Sequence, residues 1–130
     1  MWNKGSEVFT NLKNRFPQSL KDKYQSLNFT NLGNENEESK FPQIYFHPVS
    51  AVEIGQDLTG TTINGALFTF QIEVMDNESN DRVDEVMSAV INVMKGMLFS
   101  MNQFPQIQNT SSTYKTIARF TRTIGAGDVL

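Results

Sequence analysis

The feature that most constrains this chain is a change of period in its middle. Over 44–47 and again over 66–75 residues alternate between two faces, and from Asp81 the apolar ones recur every three or four positions. A period of two belongs to a strand with one buried face, and a period near 3.6 to a helix with one buried stripe. In the stretch FPQIYFHPV, Ile44 and Phe46 share one face while Tyr45 and His47 share the other. Pro42 and Pro48 bracket this strand, which suits a restricted hydrogen-bonding edge, and Val52 with Ile54 predicts a short second strand. Ala66–Met75 is the clearest strand: Phe68, Phe70, Ile72 and Val74 point to a core, and Leu67, Thr69, Gln71, Glu73 and Met75 form a mixed opposite face. The helix that follows carries the stripe Val83, Val86, Met87, Val90, Val93, Met94, Met97, Leu98 and Met101. A short strand is predicted over 103–107 and a last strand over Tyr114–Ile124, with Ala118 and Phe120 inward and Lys115, Ile117, Arg119 and Thr121 outward.

The flanks complete the layout. Val8, Leu12 and Phe16 step by four, which predicts a helix with Ser6 as its cap and a break at Pro17. Leu20, Tyr24 and Leu27 predict further helical turns. One domain is expected over 1–130: a helical region 1–29, an acidic linker 30–40, a sheet–helix–sheet core 41–124 and a flexible tail 125–130, disordered by default, with docking of its apolar tip on a neighbour as the alternative. The fold class is α/β in the α+β sense, a single mostly antiparallel or mixed sheet with helices packed on one face. The stretch 55–65 (GQDLTGTTING) holds three glycines and an Asn-Gly pair, and reads as a long hairpin tip that serves as a contact arm.

Composition narrows the function. The 130 residues contain no cysteine, so there is neither a disulfide framework nor a thiolate metal site. No run approaches the ~20 apolar residues of a membrane helix, and the first residues lack a signal-peptide core. A soluble chain is expected, with no membrane partner. Residues 41–81 carry six acidic side chains and no Lys or Arg, whereas residues 101–130 carry Lys115, Arg119 and Arg122 against Asp128 alone. An acidic middle and a basic end can complement each other between neighbouring copies. A net charge of −3 without a basic run makes a poor general DNA binder.

Reaction chemistry is not legible. His47 is the single histidine, with no Cys or second His to share a metal, and no serine sits in a nucleophile-elbow pattern. Gly60-Thr61-Thr62 and Gly125-Ala126-Gly127 match no phosphate-binding fingerprint. No catalytic residue, cofactor or metal is expected, and an enzyme using His47 with an acidic residue is the weakest reading.

The order helix, acidic linker, FPQIYF strand, hairpin, TFQIEVMDNE strand, DRVDEVMSAVINVM helix and STYKTIARFTRTIG strand resembles the tail terminator, or head–tail joining, proteins of long-tailed phages. The quoted segments cover about two-thirds of the chain, and the echoes are patterns of fold rather than active-site motifs. The resemblance implies a virion protein of the tail and neck, assembled in the host cytoplasm. It implies a homohexameric ring that caps the tail tube, contacts the tail tube protein and the head–tail connector or stopper, and lets genomic DNA pass transiently. The expected subunit and tube contacts are Tyr45, His47, Glu53, Asp57, Thr61, Thr62, Glu73, Lys115, Arg119 and Arg122. The alternatives are another neck component, such as the stopper or adaptor, and a small nucleic-acid-binding module using the three basic residues of the last strand.

Overall fold

The computed structural model describes residues 4–31, 41–56, 63–110, 113–125 and 130. Two helices open the chain, α1 (Lys4–Arg15) and α2 (Gln18–Lys23). Proline cannot donate into a helix, and the break falls at Phe16–Pro17 as its position requires. Val8, Leu12 and Phe16 are buried, so the four-residue stripe is the packed face of α1. Ser6 lies inside the first turn rather than at the cap, because helical geometry already holds from Lys4. Leu20, Tyr24 and Leu27 pack against the same core.

Strand β1 (Asn28–Thr30) corrects the boundary placed between helical region and linker. It pairs in parallel with the start of β2 (Gln43–Gln56), Asn28 opposite Gln43 and Thr30 opposite Tyr45. Three residues are too few to display an alternation. What places them is Phe29, which meets Phe16 edge-on at 5.3 Å.

The remaining strands are β3 (Ile63–Asp76), β4 (Ser100–Ile107) and β5 (Tyr114–Gly125), in the sheet order β1-β2-β3-β5-β4. Among the described strands only β1 is parallel to its neighbour; β2–β3, β3–β5 and β5–β4 are antiparallel. The sheet is therefore mixed and the class α+β. β3 and β4 run in the same direction with β5 inserted between them, and α3 (Asn80–Gly96) makes the crossover.

Two strand expectations change. Val52 and Ile54 belong to the same strand as Ile44, because the register slips by one residue between Pro48 and Ser50 and the chain runs on. A bulge lets a strand carry a residue without an N–H and continue in phase. The hairpin tip also shrinks: Gln56 pairs with Ile63, so Gly55 and Gly65 lie in strands. The connecting residues 57–62, with Asp57, Thr61 and Thr62, lie outside the described residues. At Gly65 the strands come close enough that a Cβ would sit 3.1 Å from the carbonyl oxygen of Ile124.

The core lies between the sheet and α1 and α3. Phe70 is its centre, stacked on Phe46 at 4.9 Å and met by Phe99 at 5.7 Å. Phe70, Ile72, Val90 and Met94 share one buried cluster, as their two periods predict. Each such side chain stabilises by roughly 1.5–3 kcal/mol before entropy. The Ser79 hydroxyl accepts from the Arg82 N–H and starts α3. The helix stops earlier than its apolar stripe does. Leu98 adopts φ 66, the Leu98 N–H donates to the Lys95 carbonyl and the Phe99 N–H to the Met94 carbonyl. This closes the helix in a Schellman turn. Leu98 is consequently 72% exposed, Phe99 takes its place in the core, and Met101 is a β4 residue.

The corner between β3 and α3 is held by Asp76, which is fully buried. Its carboxylate accepts from the N–H groups of Glu78 (2.9 Å) and Ser79 (3.2 Å) and pairs with Arg82 at 3.3 Å. Leu130, the apolar tip of the tail expected to be flexible, is buried against its own chain, and its carbonyl oxygen accepts from Arg15. No described helix is long and apolar enough to cross a membrane.

Candidate functional site

With α1 and α3 on one face, the other face of the sheet carries no helix among the described residues, and strand alternation decides what it displays. β2 contributes Tyr45 and His47, β3 contributes Gln71 and Glu73, and β5 contributes Lys115 and Arg119. The registers set them side by side. Tyr45 lies opposite Glu73 and Glu73 opposite Ile117, while His47 lies opposite Gln71 and Gln71 opposite Arg119. Five of the ten expected contact residues thus gather on one surface.

They form one polar chain. Glu73 receives Lys115 Nζ at 2.7 Å and Gln71 Nε2 at 3.1 Å, and the Gln71 side-chain oxygen Oε1 accepts from Arg119 Nε at 2.9 Å. His47 stacks on Tyr45 with ring centroids 5.2 Å apart, and its Nε2 stands 3.7 Å from Glu73. That separation is too long for a hydrogen bond. Glu73 is only 8% exposed although no helix covers it, because its neighbours lie across it. Farther along the same face Thr69 and Thr121 meet hydroxyl to hydroxyl, and the surface ends in the exposed pair Val52 and Leu67.

The ion pair changes how the charge pattern is read. Glu73 of the acidic middle and Lys115 of the basic end were expected as halves of a contact between copies. They meet inside one chain, because β3 and β5 are neighbours. Asp76 and Glu78 are likewise taken up by Arg82. Arg119 is held on this face by its Nε, which donates to Gln71. Arg122 is on the other side: it lies opposite Phe68 and donates to the Met97 carbonyl at 2.8 Å, at the end of α3. Glu53 sits on β2 opposite Ala66, with its side chain outside the described residues, as are Asp57, Thr61 and Thr62.

Gln71 is the residue that the charge pattern passed over. A neutral amide carries no charge signal, yet it couples Arg119 to Glu73. Its legible sign was its place on the mixed face of β3, between two charged neighbours. The arrangement is suited to binding. The Glu73 carboxylate is already engaged by Lys115 and Gln71, and among the described residues no three His, Cys, Asp or Glu side chains gather to hold a metal ion. Compared with known proteins, the chain matches no protein-family model and no curated protein.

Proposed function

We propose that the chain is a structural subunit of a long-tailed phage, forming a ring that ends the tail tube and joins the tail to the head connector. It acts by docking and carries out no reaction. The observation that supports this reading most is the one-sided build of the sheet. The described helices lie on one face, the polar ladder lies on the other, and the two edges of the single sheet are unlike, the short β1 beside β2 at one end and β4 at the other. Beyond Tyr45, β2 has no strand on its outer side among the described residues. A ring is made of head-to-tail contacts, which need two different surfaces on each subunit. A sheet with unlike ends and one face that carries no described helix supplies them. The sparse basic charge suits a ring through which DNA must pass without being held.

Negative-stain images of the purified protein, alone and with tails, test the proposal. Rings in solution or at tail ends are the expected result. Arg119→Glu reverses the cation offered by the polar face, and at an interface a like-charge contact costs several kcal/mol. The variant is expected to keep its circular dichroism spectrum and to lose assembly. Light scattering that reports only monomer, in solution and with tail tubes, refutes the reading.

A further inference from the structure

His47 stands beside the polar ladder and just beyond hydrogen-bond reach of it. Glu73 receives Lys115 Nζ on Oε1 at 2.7 Å and Gln71 Nε2 on Oε2 at 3.1 Å. An ionised carboxylate oxygen accepts more than one hydrogen bond, so Oε2 keeps room for a second donor. His47 Nε2 is 3.7 Å from that same atom, and the imidazole is held there by its stack on Tyr45, with centroids 5.2 Å apart and planes at 24°. β2 is also weakly tied at this point. β1 pairs with it only as far as Tyr45, and its register with β3 slips between Pro48 and Ser50. Pro48 has no N–H to give to a neighbour.

We propose that His47 is a proton-operated clamp: charged in mild acid, its ring closes on Glu73 Oε2 and ties the middle of β2 to the β3–β5 ladder. Histidine is the side chain whose charge ordinarily changes between about pH 5 and 8. A neutral imidazole has one N–H, whereas the charged ring has one on each nitrogen, so Nε2 is then always a donor. A charge-assisted bond from it to a carboxylate is ordinarily ~2.7–2.9 Å long. The gap to close is therefore about 1 Å, within the reach of a small turn of the ring. The groups around His47 are Tyr45 on its own strand, Gln71 and Glu73 on β3, and Lys115 and Arg119 on β5; no described helix packs on this face. Lys115 is bonded to the other oxygen of the same carboxylate, and Arg119 is turned to Gln71. The charge that Nε2 faces is the anion. Closing the clamp adds one positive charge to the balance of Lys115 and Arg119 against Glu73. Its stabilisation is present in acid and lost as pH rises through the ordinary histidine range. The clamp acts within one chain and is independent of the ring reading.

The chain has one histidine, so its ring signals in nitrogen NMR belong to His47 without further assignment. Melting of the wild type and of His47→Gln is compared from about pH 7.5 down to about pH 5.5, where histidine changes charge and carboxylates, Lys and Tyr ordinarily do not. The wild type is expected to gain a few degrees on the variant as the pH falls. In the unmutated protein the Nε2 proton is expected to exchange slowly with water at the acid end. In a Glu73→Gln background, replacing His47 by Gln is expected to give no pH-dependent difference. A difference between wild type and His47→Gln that stays constant with pH overturns the clamp. So does one that shrinks on acidification, which means that Lys115 and Arg119 repel the proton. An Nε2 proton that exchanges freely in acid, or a gain that persists without the Glu73 carboxylate, overturns it as well. If Glu73→Gln does not fold, the first two measurements decide, since both keep Glu73.

Discussion

Asp76 is the most informative residue to perturb, because its carboxylate does three jobs at one corner. It is fully buried, accepts from the N–H groups of Glu78 and Ser79, and pairs with Arg82. A hydrogen bond to a charged group is worth ~1.5–3 kcal/mol. Two such bonds and the pairing with Arg82 would exceed the usual range if they added. They do not add, since Arg82 keeps Glu78 and the ring of Tyr24, 4.8 Å away. Breaking a buried pair by removing one partner costs about 3–5 kcal/mol, and that is the expected loss for Asp76→Ala. Asp76→Asn keeps an oxygen for the amides and loses only the charge, so about 1–2 kcal/mol is expected. Urea unfolding followed by circular dichroism measures both, and an unchanged slope shows that the same surface is exposed. If Asp76→Ala costs less than about 1 kcal/mol, the carboxylate does not hold this corner and the argument is wrong.

Other perturbations test other layers. Val90→Asp puts an unpaired charge against Phe70 and Ile72 and is expected to cost several kcal/mol; an unchanged melting temperature would remove the packing assignment. Glu85 is held below the usual carboxylate range by its hydrogen bonds from Lys23 and Tyr24, so its contribution is present near neutral pH and fades as pH falls below about 4. Tyr24 is pushed up by burial and by Glu85, and Lys23 by its bond to Glu85, so their contributions are full below about 10 and fade as pH rises further. Comparing stability against pH for wild type and Glu85→Gln checks both limbs; a flat difference between the two refutes the coupling. Lys115→Ala leaves the nearly buried Glu73 with Gln71 as its donor, and a loss of about 1–3 kcal/mol in thermal unfolding is expected.

Where the sequence carried a strong period, the fold was legible in it. Phe68, Phe70, Ile72 and Val74 alternate, and all four are buried. Val83, Val86, Met87, Val90, Val93 and Met94 recur at helical spacing and form the buried stripe of α3. These patterns survive because burial acts residue by residue on local geometry. The errors lie where something other than period decides. The stripe was carried past Gly96 because Leu98 is apolar, and only the turn that caps the helix shows it facing solvent. Pro48 read as a strand end, since the bulge that absorbs it depends on the partner strand. β1 was missed because its warrant is Phe16 and β2, both remote in sequence.

The candidate site divides the same way. Alternation alone put Tyr45 and His47 on one face of their strand, and Lys115 and Arg119 on one face of theirs. It could not say which strands are neighbours. The order β2-β3-β5 decided that Glu73 is neutralised by Lys115 within the chain, that Arg119 meets Gln71, and that Arg122 caps α3 on the far side. The sequence determined which side of each element is apolar, because that follows from local geometry and the cost of leaving apolar surface in water. Only the tertiary structure decided which charges meet, because pairing acts over a few ångströms between residues that the chain keeps some forty positions apart.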